Sequence, residues 1–146
     1  MPKRFTLAEA QGMIPRVERL MRDAVALKTD FDEAERVIRA FSEKIMVMGG
    51  TLVDRRQSVD SRARREAAAA MLRTAIEQVQ EMGCVVKDLD IGLVDFPTMF
   101  HGEEVYLCWK LGESAIEFWH GVDEGFRGRK AIDKDFREHH EGESAQ

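Results

Sequence analysis

Taken in alternate steps of three and four from Ala10, the chain meets Met13, Val17, Leu20, Ala24, Leu27, Phe31, Ala34, Ile38, Phe41, Ile45 and Met48, all apolar. A seam of this spacing lies on one face of a helix, and its length predicts a coiled-coil-like partner along that face. Thr6 and Glu9 have the spacing of a capping box, in which hydroxyl and carboxylate each satisfy an orphan backbone N–H. Pro15 predicts a kink or restart, because it lacks an N–H and crowds the turn before it. Gly49-Gly50 predicts the helix stop. A second helix is predicted from Ser58 to Met82, closed by Gly83. Its apolar stripe is Val59, Ala63, Ala67, Met71, Ala75 and Val79, widened by Leu72, Ile76 and Met82. A short connection between two such helices predicts an antiparallel hairpin over residues 1–82. Two helices cannot cover stripes this wide, so a second hairpin from another copy is expected to do so.

After Gly83 the period shortens to two. Cys84 to Lys87 is a short strand candidate. Leu93 to Phe100 and Glu103 to Lys110 flank His101-Gly102, which fits a two-residue hairpin loop. Gly112-Glu113 suits a second two-residue turn, leading into a strand from Ser114 to Trp119. These loops place Val94, Phe96, Val105, Leu107, Trp109, Ile116 and Phe118 on one face of a three-stranded antiparallel sheet. Asp95, Tyr106, Cys108, Glu117 and Trp119 fall on the other. The expected architecture is α+β: a hairpin over 1–82, a small β region over 83–131 packed on it in the same domain, and a polar, flexible tail over 132–146.

Composition narrows the function classes. The 146 residues are 44% apolar and 34% charged, too apolar for a disordered chain. The longest stretch without a charge, Ile45 to Val53, is far short of the ~20 residues of a membrane span. Twenty-two basic against twenty-seven acidic side chains give a net charge of −5, which disfavours nucleic acid as a partner. The basic stretch Arg55, Arg56, Arg62, Arg64 and Arg65 has no aromatic interleaving and reads as a solvated or ion-paired face. Two cysteines make no disulfide framework, and no apolar signal region follows Met1, so the cytoplasm is the simplest compartment.

Val86 to Pro97, Val105 to Glu113, Trp119-His120 and Gly125 to Arg129 resemble the core of a bacterial family catalogued as domain of unknown function 2203. Phe5-Thr6-Leu7, Glu9-Ala10 and Pro15 resemble its opening segment. Lys130-Ala131-Ile132 stands where the family usually has a proline. The resemblance implies no activity, cofactor or substrate.

The candidate ligand-binding residues are Asp88, Asp90, Asp95, Trp109, Glu113, Trp119, His120, Arg127 and Arg129, which crowd a glycine-rich region. Asp88 and Asp90 suit turn hydrogen bonds or a hard cation. Cys108 between Asp95 and Glu117 could be a soft metal site or an activated nucleophile, but it reads first as a buried structural thiol, since nearby carboxylates raise a thiol's pKa. The four histidines have no zinc-finger spacing, so no metal site is assigned and no cofactor is named. Gly121, Gly125 and Gly128 with Arg127, Arg129 and Lys130 suit an anion. In the expected register His120 lies beside Val105, roughly 15–20 Å from Asp88 and Asp90. An aspartate–arginine cluster is therefore expected rather than an aspartate–histidine pair. The first reading is an oligomeric structural or interaction module, a dimer or tetramer. The alternative is a small-ligand or metal-ion binder, or an enzyme, using segment 88–129.

Overall fold

The computed structural model describes residues 3–47 and 55–142. Helix α1 (Leu7–Val47) packs antiparallel on α2 (Arg56–Glu81). The predicted capping box forms: Glu9 N–H donates to Thr6 Oγ1 and Thr6 N–H to Glu9 Oε1, both at 3.1 Å. Ala10, Val17, Ala24, Ala34 and Ile38 of the predicted seam are buried. The helix runs through Pro15 without restarting, and that residue stands on the exposed face, where a freed carbonyl can be hydrated. Met48 and Gly49-Gly50 lie outside the described residues.

On α2 the structure corrects the expected stripe. Val59 and Met71 are 63% and 59% exposed, whereas Ser58, Ser61, Ala68, Ala75 and Val79 are buried. Small side chains let two helix backbones approach closely, so the row of serines and alanines turns inward and the bulkier Val59 and Met71 are left out. The basic stretch is engaged as expected, with Arg65 Nη1 3.2 Å from Glu35 Oε1 on α1 and Arg62 Nε 3.4 Å from Ser58 Oγ. No described helix is long and apolar enough to cross a membrane.

Among the described residues the sheet has six strands, not three. Strands β1 (Val85–Asp88), β2 (Leu93–Phe100), β3 (Glu103–Lys110), β4 (Phe118–Gly121) and β5 (Lys130–Ala131) follow one another antiparallel, and β6 (His140–Glu141) pairs with the end of β2. The β2–β3 register runs from Phe100↔Glu103 to Leu93↔Lys110, as the two-residue loop predicts. His101 (φ 50°) and Gly102 (φ 78°) both take the left-handed conformation that such a hairpin turn demands.

The β3–β4 register differs from the expected one by a single residue: Tyr106 faces His120 and Leu107 faces Trp119. The connection is longer than the expected Gly112-Glu113 turn, and β4 begins only at Phe118. Trp109 Nε1–H donates to Glu113 O at 2.9 Å, Lys110 N–H to Glu113 Oε1 at 2.6 Å, and Ile116 N–H to Gln11 Oε1 of α1 at 2.9 Å. These bonds hold residues 111–117 as a loop. Since side chains alternate, a slip of one residue exchanges the two faces of β4. Trp119 joins the core side, and Phe118 and His120 join Asp95 and Cys108.

Residues 133–142, expected as part of a flexible tail, form an ordered lid on the core. Asp133 caps α3 (Lys134–His139) by accepting from Phe136 N–H at 2.9 Å. Phe136 is fully buried and packs against Phe100, Trp119 and His140, with ring centroids 4.7, 5.1 and 5.3 Å away. His140 Nε2 accepts from Leu7 N–H at 2.8 Å, closing the first turn of α1. One buried aromatic among polar neighbours is a weak sequence signal, which is why the expectation failed. The core therefore lies at one end of the hairpin, between Phe5, Ile14, Val17, Met21 and Val79 and the sheet face of Val94, Phe96, Leu107 and Trp109.

Phe136→Ala should destabilise the protein by about 3–5 kcal/mol, the cost of emptying a buried aromatic site. Val59→Ala, on the exposed face of α2, should change stability by less than about 0.5 kcal/mol. Urea unfolding of the two variants measures both.

Candidate functional site

Three adjacent strands bring Asp95, Cys108 and His120 together beneath the sheet face that points away from the helices. Asp95 stands opposite Cys108, Cys108 stands opposite Phe118, and His120 lies two residues further along β4 on the same face. Asp95 and Cys108 are fully buried and His120 is 2% exposed. His120 Nε2 is 3.0 Å from both carboxylate oxygens of Asp95, and its Nδ1 is 2.8 Å from Gly121 O. One carboxylate oxygen, the thiol sulfur and one ring nitrogen lie within 4.8 Å of one another. The expected separation of His120 from the aspartates is thus corrected for Asp95. The one-residue register shift is the whole cause.

A backbone carbonyl can only accept, so Nδ1 of His120 carries a proton. Burial pushes the Asp95 carboxyl above its ordinary range, opposed by the His120 hydrogen bond and charge, the Cys108 thiol and Lys87. Burial and the Asp95 charge push the Cys108 thiol up to about 12. Lys87 Nζ lies 5.2 Å from the Tyr106 ring, which itself lies 5.5 Å from the His120 ring.

The other candidates do not join this cluster. Asp88 Oδ1 accepts from Asp90 N–H at 2.8 Å, the turn role expected of it, and Asp90 reaches Lys28 of α1 at 3.7 Å. Arg129 donates through Nη2 to Glu113 Oε1 at 2.6 Å and to Cys108 O at 3.1 Å, with its guanidinium 4.1 Å from the Phe118 ring centroid. It clamps β3 to the chain before β5. The expected aspartate–arginine cluster is replaced by this Glu113–Arg129 pair. Trp109 is a core residue, Trp119 packs among Phe100 and Phe136, and Arg127 is exposed on the 3-10 turn. Glu117 is exposed and stands outside the Asp95–Cys108 row.

In the glycine loop, the position expected for an external anion is taken by Glu124. Its Oε1 accepts from Gly121 N–H at 2.9 Å and pairs with Lys130. A Cβ at Gly128 would come within 2.7 Å of the Glu124 Cβ, so the close wrap requires glycine there. The Lys130 ammonium and then the Gly121 N–H hold the Glu124 carboxyl below its ordinary range.

A family model of uncharacterized conserved proteins, DUF2203, matches residues 3–132, which takes in α1, α2 and all three strands of the cluster but not α3. Neither a curated protein nor a solved structure matches the chain.

Removing one partner of a buried hydrogen-bonded pair leaves the other unsatisfied, so Asp95→Asn and His120→Asn should each destabilise by about 1–3 kcal/mol. The double variant should lose less than the sum, read from urea unfolding as a double-mutant cycle. A second outcome follows from Cys84, fully enclosed beside the core, whose thiol burial pushes up to about 12. The unfolded chain releases that proton near pH 9 while the native one keeps it, so stability should fall as pH rises from about 9 toward 12. Cys84→Ala should make that alkaline limb shallower in unfolding curves and leave the share of Cys108.

Proposed function

We propose, for a chain that belongs to the DUF2203 family, a cytoplasmic structural or interaction module that assembles with copies of itself through its helical hairpin. The observation that carries this reading is the pair of apolar grooves left along α1 and α2, one of them bordered by the turn between β1 and β2. One is lined by Leu20, Leu27, Met71 and Ala75, the other by Phe31, Leu72, Ile76 and Leu89. Neither has a covering layer among the described residues. A second hairpin laid on a groove would complete a four-helix bundle with a continuous core. The two cysteines are both free and buried, which suits a reducing compartment.

The alternative reading, a ligand-binding or enzymatic role for segment 88–129, has the buried Asp95–Cys108–His120 cluster as its support.

Light scattering at tens of micromolar protein should give the mass of a dimer or tetramer. Met71→Glu should lower that mass toward the monomer while the helical circular dichroism stays unchanged, because Met71 is 59% exposed in the single chain. A wild-type protein that scatters as a monomer overturns the proposal.

A further inference from the structure

The hydrogen bonds around His120 leave one position that needs a positive charge. Nδ1 faces Gly121 O at 2.8 Å, so that nitrogen holds a proton. A neutral imidazole then presents a lone pair at Nε2, yet Nε2 sits 3.0 Å from both oxygens of Asp95. Lone pair facing carboxylate is repulsive unless a proton or a cation lies between them. The third group, Cys108, contributes sulfur within 4.8 Å of the other two donor atoms.

We propose that Asp95, Cys108 and His120 are the protein ligands of a divalent transition-metal ion, with zinc as the best match. One oxygen, one sulfur and one imidazole nitrogen form a mixed donor set that suits zinc and excludes magnesium and calcium, which take oxygen. A carboxylate and a thiolate balance the two charges of the ion, so the buried site becomes neutral as a whole. His120 already has the outer support seen at metal-binding histidines, its far nitrogen donating to a backbone carbonyl. All three donors project from paired strands, which fixes their spacing more firmly than loops would. Binding releases to solvent the Cys108 thiol proton and any proton shared by Asp95 and His120. Three protein ligands leave a tetrahedral ion one further position for water or a small ligand.

The test uses the full chain dialysed against a chelator and then titrated with Co²⁺ and Zn²⁺. One Co²⁺ per chain should bind with the near-ultraviolet thiolate band and the visible bands of a tetrahedral ion. Zn²⁺ should displace it with a dissociation constant below about 1 μM. Cys84→Ala should keep the thiolate band. Cys108→Ser should lose it and weaken Zn²⁺ binding at least about tenfold. Should Cys108→Ser fail to fold, retention of the band in Cys84→Ala alone assigns the sulfur to Cys108. A folded wild-type chain that takes up no Co²⁺ or Zn²⁺ overturns the proposal and leaves a protonated Asp95–His120 pair. So does metal binding that survives Cys108→Ser and disappears in His139→Ala, which would place the ion at exposed His101, Asp135 and His139.

Discussion

Gln11 on the first turns of α1 accepts a 2.9 Å hydrogen bond from Ile116 N–H, and the placement of β4 depends on that bond. With Ile116 held at the helix and Glu113 folded back onto Trp109 and Lys110, the chain cannot turn tightly after Lys110 and enters β4 late. The shift is one residue, about 3.3 Å along a strand, yet it reverses which side chains of β4 meet the core. Trp119 and Phe136 can then pack together, and His120 can reach Asp95. Core packing and site assembly are two results of one register.

The cluster this register creates is energetically demanding. A carboxylate, an imidazole and a thiol share a volume closed to solvent, and burial disfavours the charged forms of Asp95 and Cys108. The fold meets that demand by satisfying atoms one at a time: Gly121 O takes Nδ1–H, Asp95 faces Nε2, and Arg129 bonds the carbonyl of Cys108. Groups that would compete are held elsewhere. Glu124 stays with Gly121 and Lys130, and Glu113 stays with Arg129. The glycine-rich loop is therefore internally neutralised, and the chemistry of the region concentrates in the three strands beside it.

The hairpin shows the opposite situation. Near the sheet, α1 and α2 are covered by the main core, while further out they have only each other. There the buried positions are mostly small, Ser58, Ser61 and Ala68 on α2 and Ala34 with the larger Ile38 on α1, so little apolar area is buried. The larger side chains line the grooves on either side. Close pairing of two helices and the exposure of Met71 and Val59 are consequences of the same choice of inward face.

Local chemistry along the chain determined much of this protein. The α1 helix, the Thr6–Glu9 cap, the His101-Gly102 turn and the β2–β3 register each depend on interactions within a few residues, and all are realised, although Ile14 and Met21, off the expected seam, are buried where Leu27 and Phe31 are not. The change from helix to alternating pattern after Gly83 likewise marks where the α+β architecture divides. Tertiary structure alone decided three things. The inward face of α2 depends on how closely α1 approaches, which favours serine and alanine over more hydrophobic neighbours. Docking of α3 depends on a pocket that Phe100 and Trp119 make for Phe136. The pairing of His120 with Asp95 depends on a contact between Gln11 and Ile116, 105 positions apart in sequence. Pattern fixes the faces of an element, but the phase of one strand against the next is set by whichever distant group holds the loop between them.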